Sequence, residues 1–179
     1  MPKRSRGFPP VVDENVTTLI LGSFPSAASL QKGQYYGHPH NQFWKLVGRV
    51  IEVPLHEMHY EGKLRTLLAR HVGLWDIIDR CERAGSLDSN IRNPRHNEFE
   101  HVKRIARRLR RICFNGKTAA KLESLFAAWG YETVVLPSSS PANTLAFEVK
   151  LDAWRQIMPP DRSARGTRSA PDYCGHAGR

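Results

Sequence analysis

Four short apolar runs occur along the chain, at residues 16–21, 71–78, 112–114 and 133–136. Turn-forming residues follow three of them closely, and the first run ends abruptly at Gly22-Ser23. That first run is apolar on both faces, which is typical of a central strand in a parallel sheet. The pattern therefore predicts four strands.

Between the strands, apolar residues recur at helical spacing. Helices are predicted over residues 42–52, 61–70, 98–110 and 117–129, with a last one from Ser140 to about Met158. Asn41 stands at the capping position of the first helix, and Ser140-Pro141 carry the start signal of the last. Residues 79–97 are polar and predict a surface loop. Alternating strands and helices predict a three-layer α/β/α domain with a short, mostly parallel four-stranded central sheet.

A chain of 179 residues is most simply one domain, here residues 16–158. Residues 1–15 are predicted to be a flexible basic leader, and residues 159–179 a disordered basic tail. No run approaches the ~18–20 apolar residues of a membrane span, and no apolar segment of a secretion signal follows the start. We expect a monomer in the cytoplasm, associated with the nucleoid in a bacterium or archaeon, without membrane contact.

The formal net charge is +10, from 27 Lys and Arg against 17 Asp and Glu. Such an excess favours a polyanionic partner, chiefly nucleic acid. The three cysteines, Cys81, Cys113 and Cys174, are far apart and form no C-x-x-C pair. This spacing argues against a disulfide framework, a zinc site or an iron–sulfur cluster. No metal or organic cofactor is expected.

Residues 22–44 carry the candidate chemistry, because parallel-sheet proteins place their sites after the carboxyl ends of strands. A dinucleotide-binding fingerprint needs three glycines where this loop has one. Residues 115–118 match the end of a phosphate-binding P-loop, but Arg111 stands where its first glycine should be. Residues 38–40 lack a usual metal-ligand spacing. The loop serines sit in no G-x-S-x-G elbow, which disfavours a serine nucleophile.

Two segments carry a family resemblance. Residues 22–26 (GSFPS) with residues 35–44 (YYGHPHNQFW) resemble the first motif region of the uracil-DNA glycosylase superfamily, and most closely its hypoxanthine-DNA glycosylase family. Residues 138–143 (SSSPAN) are similar to the superfamily's second motif. The likeness covers residues 16–157. It implies a DNA repair enzyme that flips out a deaminated base, chiefly hypoxanthine, and hydrolyses its N-glycosidic bond to leave an abasic site.

One departure separates this chain from its wider superfamily. Mismatch glycosylases carry an Asn, and classical uracil enzymes an Asp, just after the first strand, where this chain has Ser23-Phe24. In the hypoxanthine family the catalytic Asn is that of the H-P-x-N segment, which corresponds to Asn41. An amide cannot act as a general base at neutral pH, so Asn41 would position water or the base while electrostatics supply most of the acceleration. A plain helix cap is the other role open to Asn41.

The resemblance also implies roles for other residues. His38 would orient the base or the water. The base-binding set is Gly22, Ser23, Phe24, Pro25, Tyr35, Tyr36 and Asn115. The aromatic members would offset part of the cost of base flipping by stacking. The DNA-binding set is Ser138, Ser139, Ser140 and Asn143, since hydroxyls at a helix start suit phosphate.

Two alternatives stay open. One is a uracil or mismatch-specific uracil/thymine glycosylase of the same superfamily, and the other is a non-catalytic nucleic-acid-binding module. In each case the expected partner is single- or double-stranded DNA, carrying a damaged base if the protein is an enzyme. No lysine stands out as a Schiff-base nucleophile, so no strand-cleaving lyase step is expected.

Overall fold

The computed structural model describes residues 3–158 of the chain. Its strands are β1 (Lys3–Arg6), β2 (Thr18–Gly22), β3 (Val72–Asp76), β4 (Ile78–Arg83), β5 (Arg92–His96), β6 (Arg111–Asn115) and β7 (Glu132–Leu136). Its helices are α1 (Ala27–Lys32), α2 (Phe43–Ile51), α3 (Tyr60–Ala69), α4 (Glu100–Ile105), α5 (Glu123–Ala128) and α6 (Phe147–Trp154). The predicted tail, residues 159–179, lies outside the described residues, as do residues 1–2.

The central sheet has the order β3-β2-β6-β7, with every neighbouring pair parallel. Leu19 and Leu21 pack into one hydrophobic cluster and Ile20 into another, because successive residues of a strand face opposite sides. Helices α2, α3 and α6 cover the face of Ile20, while α4 and α5 cover the other. The predicted α/β fold with a parallel four-stranded sheet is confirmed.

A second sheet, antiparallel with the order β1-β4-β5, was not predicted. Residues 79–97, expected to be a surface loop, contain most of β4 and all of β5. Strand β5 is exposed throughout and includes Pro94, so its sequence lacks the apolar alternation that signals a strand. Its order comes from backbone pairing with β4, which sequence periodicity does not report.

The predicted flexible leader is also wrong for the described part of residues 1–15. Strand β1 pairs with β4, and Val11 exchanges backbone hydrogen bonds of 2.8 and 3.0 Å with Leu74. The indole Nε1 of Trp75 donates to the carbonyl of Phe8 at 3.2 Å. These contacts hold the N-terminal segment against the domain.

Three helix boundaries differ from the predictions, and α1 was not predicted. Helix α5 begins at Glu123, after a 3₁₀ turn over Ala119–Leu122, and not at residue 117. Helix α4 ends at Ile105 because the chain turns over residues 106–110 to enter β6. The last helix begins at Phe147 instead of Ser140. The Ser140 hydroxyl accepts the N–H of Ala142, a local bond that supports a turn as well as it supports a helix cap. Within residues 3–158, no helix is long and apolar enough to cross a bilayer.

Candidate active site

A cavity of about 660 Å³ opens at the carboxyl edge of the parallel sheet. Because all four strands of that sheet run in the same direction, the segments that follow them converge at this edge. The cavity lining includes Gly22, Ser23, Phe24, Pro25, Tyr35, Tyr36, Asn41, Asp76, Asn115, Ser138, Ser139, Ser140 and Asn143. The structure therefore brings together every predicted site residue except His38.

Gly22, Asp76 and Tyr36 meet at one wall of this cavity. Gly22 ends β2 and pairs in register with Asp76, which ends β3. A Cβ atom at position 22 would overlap the Asp76 Oδ1 atom and lie 3.1 Å from the Tyr36 hydroxyl. Glycine is thus required at this strand end for a carboxyl and a phenol to approach it together.

Asp76 and Tyr36 each present a buried polar atom without a hydrogen-bond partner among the described residues, namely Asp76 Oδ2 and the Tyr36 hydroxyl. Burial, followed by the nearby Asp88 carboxylate, raises the pKa of Asp76 to about 7, although Arg83 acts in the opposite direction. Burial, and then Asp76, also raise the pKa of Tyr36, so its phenol stays protonated. Unpartnered buried polar atoms in a cavity indicate a polar ligand.

Sequence analysis did not select Asp76 as a site residue. A signal was available, because Asp76 is the one charged residue of a buried strand and stands at its carboxyl end, as Gly22 stands at the carboxyl end of β2. What the sequence does not show is that the carboxyl is 4% exposed and lies beside Gly22.

The three predicted aromatic residues have different roles. The Tyr36 ring stacks on Phe43 with centroids 3.7 Å apart and an interplanar angle of 8°. Phe24 lies beneath the Arg83 guanidinium, whose central carbon is 5.0 Å from the ring centroid. Tyr35 is 3% exposed and donates its hydroxyl hydrogen to the Pro9 carbonyl at 3.1 Å. Tyr35 therefore anchors the N-terminal segment, while Phe24 and Tyr36 contribute aromatic surface to the cavity.

Asn41 lies at the cavity, before the start of α2. Its Oδ1 atom accepts the backbone N–H of Phe43 at 3.0 Å, so the predicted capping contact is present. The Nδ2 group makes no hydrogen bond to a described residue. His38 is not part of the cavity lining, and its Nδ1 atom accepts the N–H of His40 at 3.2 Å.

Asn115 and Ser139 form a clamp between β6 and the segment after β7. Asn115 Nδ2 donates to Ser139 Oγ, and Asn115 Oδ1 accepts the N–H of Ser139, both at 2.9 Å. The Ser139 carbonyl accepts the N–H of Gln42 at 3.0 Å. Both ends of the Asn115 amide are thus occupied, and Ser139 is fully buried. These two residues shape the cavity wall.

Ser138, Ser140 and Asn143 stand on the same side of the cavity, in a turn and not at a helix start. Ser138 Oγ accepts the N–H of Ser140 at 3.2 Å, and Asn143 Oδ1 accepts the N–H of Leu145 at 3.1 Å. Lys150 is 1% exposed and donates to Gln42 Oε1 at 2.9 Å and to the Asn143 carbonyl at 2.7 Å. Lys150, which sequence analysis missed, ties this turn to α2.

The hairpin formed by β4 and β5 supports the loop after β2. Ser23 donates its hydroxyl hydrogen to Asp88 Oδ2 at 2.7 Å, and the Ala27 N–H donates to Ser86 Oγ at 3.0 Å. The Arg83 guanidinium donates to the Pro25 carbonyl. Segments more than fifty residues apart in sequence therefore hold the first motif in place. Among residues 3–158, no group of three or more His, Cys, Asp or Glu is placed to hold a metal ion.

Comparison with known proteins gives consistent results. The family model for the uracil DNA glycosylase superfamily matches residues 9–158. A hypoxanthine DNA glycosylase from Methanosarcina acetivorans is 48% identical over 86% of this chain and 97% of its own length, and one from Methanosarcina barkeri is 40% identical over 87% and 98%. The solution NMR structure of a Methanosarcina acetivorans protein, described as a candidate uracil DNA glycosylase, is similar with a TM-score of 0.79 and 46% identity, covering 87% of this chain and 99% of that one.

Proposed function

Because this chain belongs to the uracil DNA glycosylase superfamily, we propose that it is a monofunctional DNA glycosylase that releases hypoxanthine from deoxyinosine in DNA. Two of the Methanosarcina relatives carry that activity in their names. The observation that carries the proposal is the pair of unpartnered polar atoms, Asp76 Oδ2 and the Tyr36 hydroxyl, in a cavity that Asn41 also reaches.

This pair suits the polar edge of hypoxanthine. That base presents an N1–H donor beside an O6 acceptor, so an ionised Asp76 accepts from N1–H while Tyr36 donates to O6. Adenine presents a lone pair at N1, which would leave a buried carboxylate facing an acceptor. A site built to hydrogen-bond one edge rejects a base that leaves its buried groups unpaired. Uracil presents an N–H between two carbonyls, so the same pair accommodates it and the experiment must separate the two bases.

The reaction breaks the bond between C1′ of the sugar and N9 of the base. The bonding electron pair leaves with the base, the oxygen of a water molecule bonds to C1′, and the proton that this water releases neutralises the departing base anion. Asn41 has one Oδ1 lone pair committed to Phe43, so its Nδ2 group and its second lone pair are available to the water or the base. Positioning and electrostatic stabilisation then supply the acceleration.

The test is base release from matched duplexes that carry one deoxyinosine, deoxyuridine or deoxyadenosine, followed by alkali to cut abasic sites. Asn41→Ala should lower the single-turnover rate on deoxyinosine by about 10²–10³-fold, the usual effect of removing one transition-state contact. Its affinity for DNA should change less than about threefold, because one amide adds little to phosphate-dominated binding.

Asn15→Ala is the matched control, because Asn15 precedes β2 at the opposite edge of the sheet from the cavity. It should leave the rate unchanged. Preferential release of uracil would move the substrate assignment to the other base. Failure to release any base, with DNA binding intact, would contradict the enzymatic proposal and support a binding module.

A further inference from the structure

The antiparallel sheet presents a row of arginines in register. Arg6 pairs with Arg80 across β1 and β4, and Arg80 pairs with Arg95 across β4 and β5. Cross-strand partners project from the same face, and like charges placed opposite each other destabilise a sheet. An arrangement that costs stability in the isolated protein favours an anionic partner that offsets the repulsion.

These residues line a cleft that is separate from the base cavity. Its volume is about 490 Å³, and its lining is Arg4, Ser5, Arg6, Arg80, Cys81, Glu82, Asn93 and Arg95. Four guanidinium groups therefore meet one lining carboxylate, with Asp79 as a second carboxylate beside them. The positive excess remains after each described ion pair is counted.

Three of these arginines contact a carboxylate through the Nε atom. Arg4 contacts Glu82 through Nε at 3.2 Å, while Arg6 and Arg80 contact the two oxygens of Asp79 through Nε at 3.2 and 2.7 Å. Their terminal Nη groups make no hydrogen bond to any residue that the structure describes. Glu82 thus orients one guanidinium group and Asp79 orients two, each through its Nε nitrogen, which leaves the Nη groups available to a ligand.

Such outer N–H groups match phosphate oxygens in geometry and charge. The side chains of Arg4, Arg6 and Arg80 are 89%, 76% and 54% exposed, so a large ligand can reach them. The row crosses two interstrand spacings, about 10 Å, which corresponds to about three rises of 3.4 Å per phosphate along the axis of one DNA strand.

The cleft lined by Arg4, Arg6, Arg80 and Arg95, here called the arginine cleft, belongs to the antiparallel sheet, and that sheet adjoins the edge of the base cavity. Strand β4 begins two residues after Asp76, and the N–H groups of Ile77 and Ile78 donate to the carbonyls of Gly22 and Ser23 at 2.9 and 3.1 Å. The base cavity and the cleft are therefore joined through one short stretch of backbone, at the end of β2 and the start of β4. We propose that the arginine cleft binds backbone phosphates of DNA flanking the extruded base, an inference that rests on the proposed function.

The experiment uses the double variant R80Q/R95Q of the full chain. Binding to a duplex with one deoxyinosine is followed by fluorescence anisotropy between about 50 and 200 mM salt, where phosphate contacts dominate the salt dependence. Loss of two contacts should reduce the slope of log affinity against log salt by about 1.8, at about 0.9 per phosphate. The single-turnover rate at saturating DNA should stay unchanged, because neither side chain lines the base cavity.

R107Q/R108Q is the matched control. Both arginines are exposed and lie in the turn before β6, at the opposite edge of the parallel sheet from the cavity. The variant carries the same change in net charge and should keep the original salt slope. R4Q, which changes an independent member of the cleft on β1, should lower the slope by about 0.9 and serves if the first variant does not fold.

Three results separate this inference from the proposed function. A slope that is unchanged in R80Q/R95Q, with base release intact, would overturn the cleft and leave the function standing. An equal reduction of the salt slope in R80Q/R95Q and R107Q/R108Q would also overturn it, because the change in net charge alone would explain that reduction. A reduced slope confined to the cleft variants, in a protein that releases no base, would support the cleft and reject the glycosylase.

Discussion

Replacing Asp76 with Asn tests whether the cavity holds a carboxyl at a cost in stability. The ordinary pKa of an aspartate carboxyl is 3.8, whereas burial raises the pKa of Asp76 to about 7 in the folded protein. Between these values the folded protein binds a proton that the unfolded chain has already lost. The free energy of unfolding therefore falls as pH rises through this window, and the loss is complete above about pH 7.

The size of the effect follows from the same two values. A difference of about three pH units, at 1.36 kcal/mol each, corresponds to about 4 kcal/mol. Asn has nearly the same shape and does not ionise, so Asp76→Asn removes this penalty. For a domain of this size the gain corresponds to about 8–16 °C in melting temperature.

The assay is thermal unfolding of both proteins at several pH values. The melting temperature of Asp76→Asn relative to that of the parent should rise steadily between about pH 4 and pH 8. Asp152→Asn is a matched control, because that carboxylate is exposed on α6. A difference between Asp76→Asn and the parent that does not change with pH would refute the reasoning, since it would show that the carboxyl is not held protonated by its surroundings.

The same variant reports on catalysis. If the ionised form accepts the N1–H of hypoxanthine, base release by the parent should be about tenfold slower at pH 6 than at its plateau, because about one carboxyl in eleven is then ionised. Asp76→Asn should lose this pH dependence. A parallel pH profile in both proteins would mean that another group controls the reaction.

Two further predictions concern the cavity walls. Gly22→Ala should abolish base release and destabilise the protein by about 1–3 kcal/mol, because the added methyl group overlaps Asp76 in a packed strand. Single-turnover kinetics measure the loss of base release, and thermal melting measures the loss of stability. A fully active variant would contradict this packing. Lys150→Met should make residues 139–146 more sensitive to limited proteolysis, because Gln42 Oε1 and the Asn143 carbonyl lose the donor that they share. Lys121→Met changes an exposed lysine and is the control. Equal cleavage of the two variants would contradict the role of Lys150 in holding this turn.

The parallel sheet and its site-bearing loops could be predicted from sequence because their signals are local. Residues 19–21 are apolar on both faces, and Gly22 marks where the strand stops. The two motifs lie at the carboxyl ends of β2 and β7, so topology alone places them at one edge. The predicted superfamily is confirmed by the comparisons.

The rest depends on contacts between distant segments. Strand β4 buries Arg83 under the loop that contains Pro25, so its buried face does not appear apolar in the sequence. In the sequence, Asp76 resembles the first polar residue of a loop. Only the pairing of β2 with β3, which sets Asp76 opposite Gly22, places its side chain at the cavity. The Ser140-Pro141 pair fits a helix start and a turn equally well, and the hydrogen bonds of Ser138 and Ser140 favour the turn.

Strand β1 has a consequence for self-association. It covers one side of β4, which would otherwise present unpaired N–H and C=O groups along residues 80–83. Exposed strand edges of this kind template pairing with other chains. Strand β1 is then the edge of the sheet, and its sequence KRSR places positive charges there that discourage pairing with other chains. Trimming the protein before Gly7 would remove these charges and make β4 the edge strand. We expect preparations shortened at this end to form oligomers more readily than the full chain.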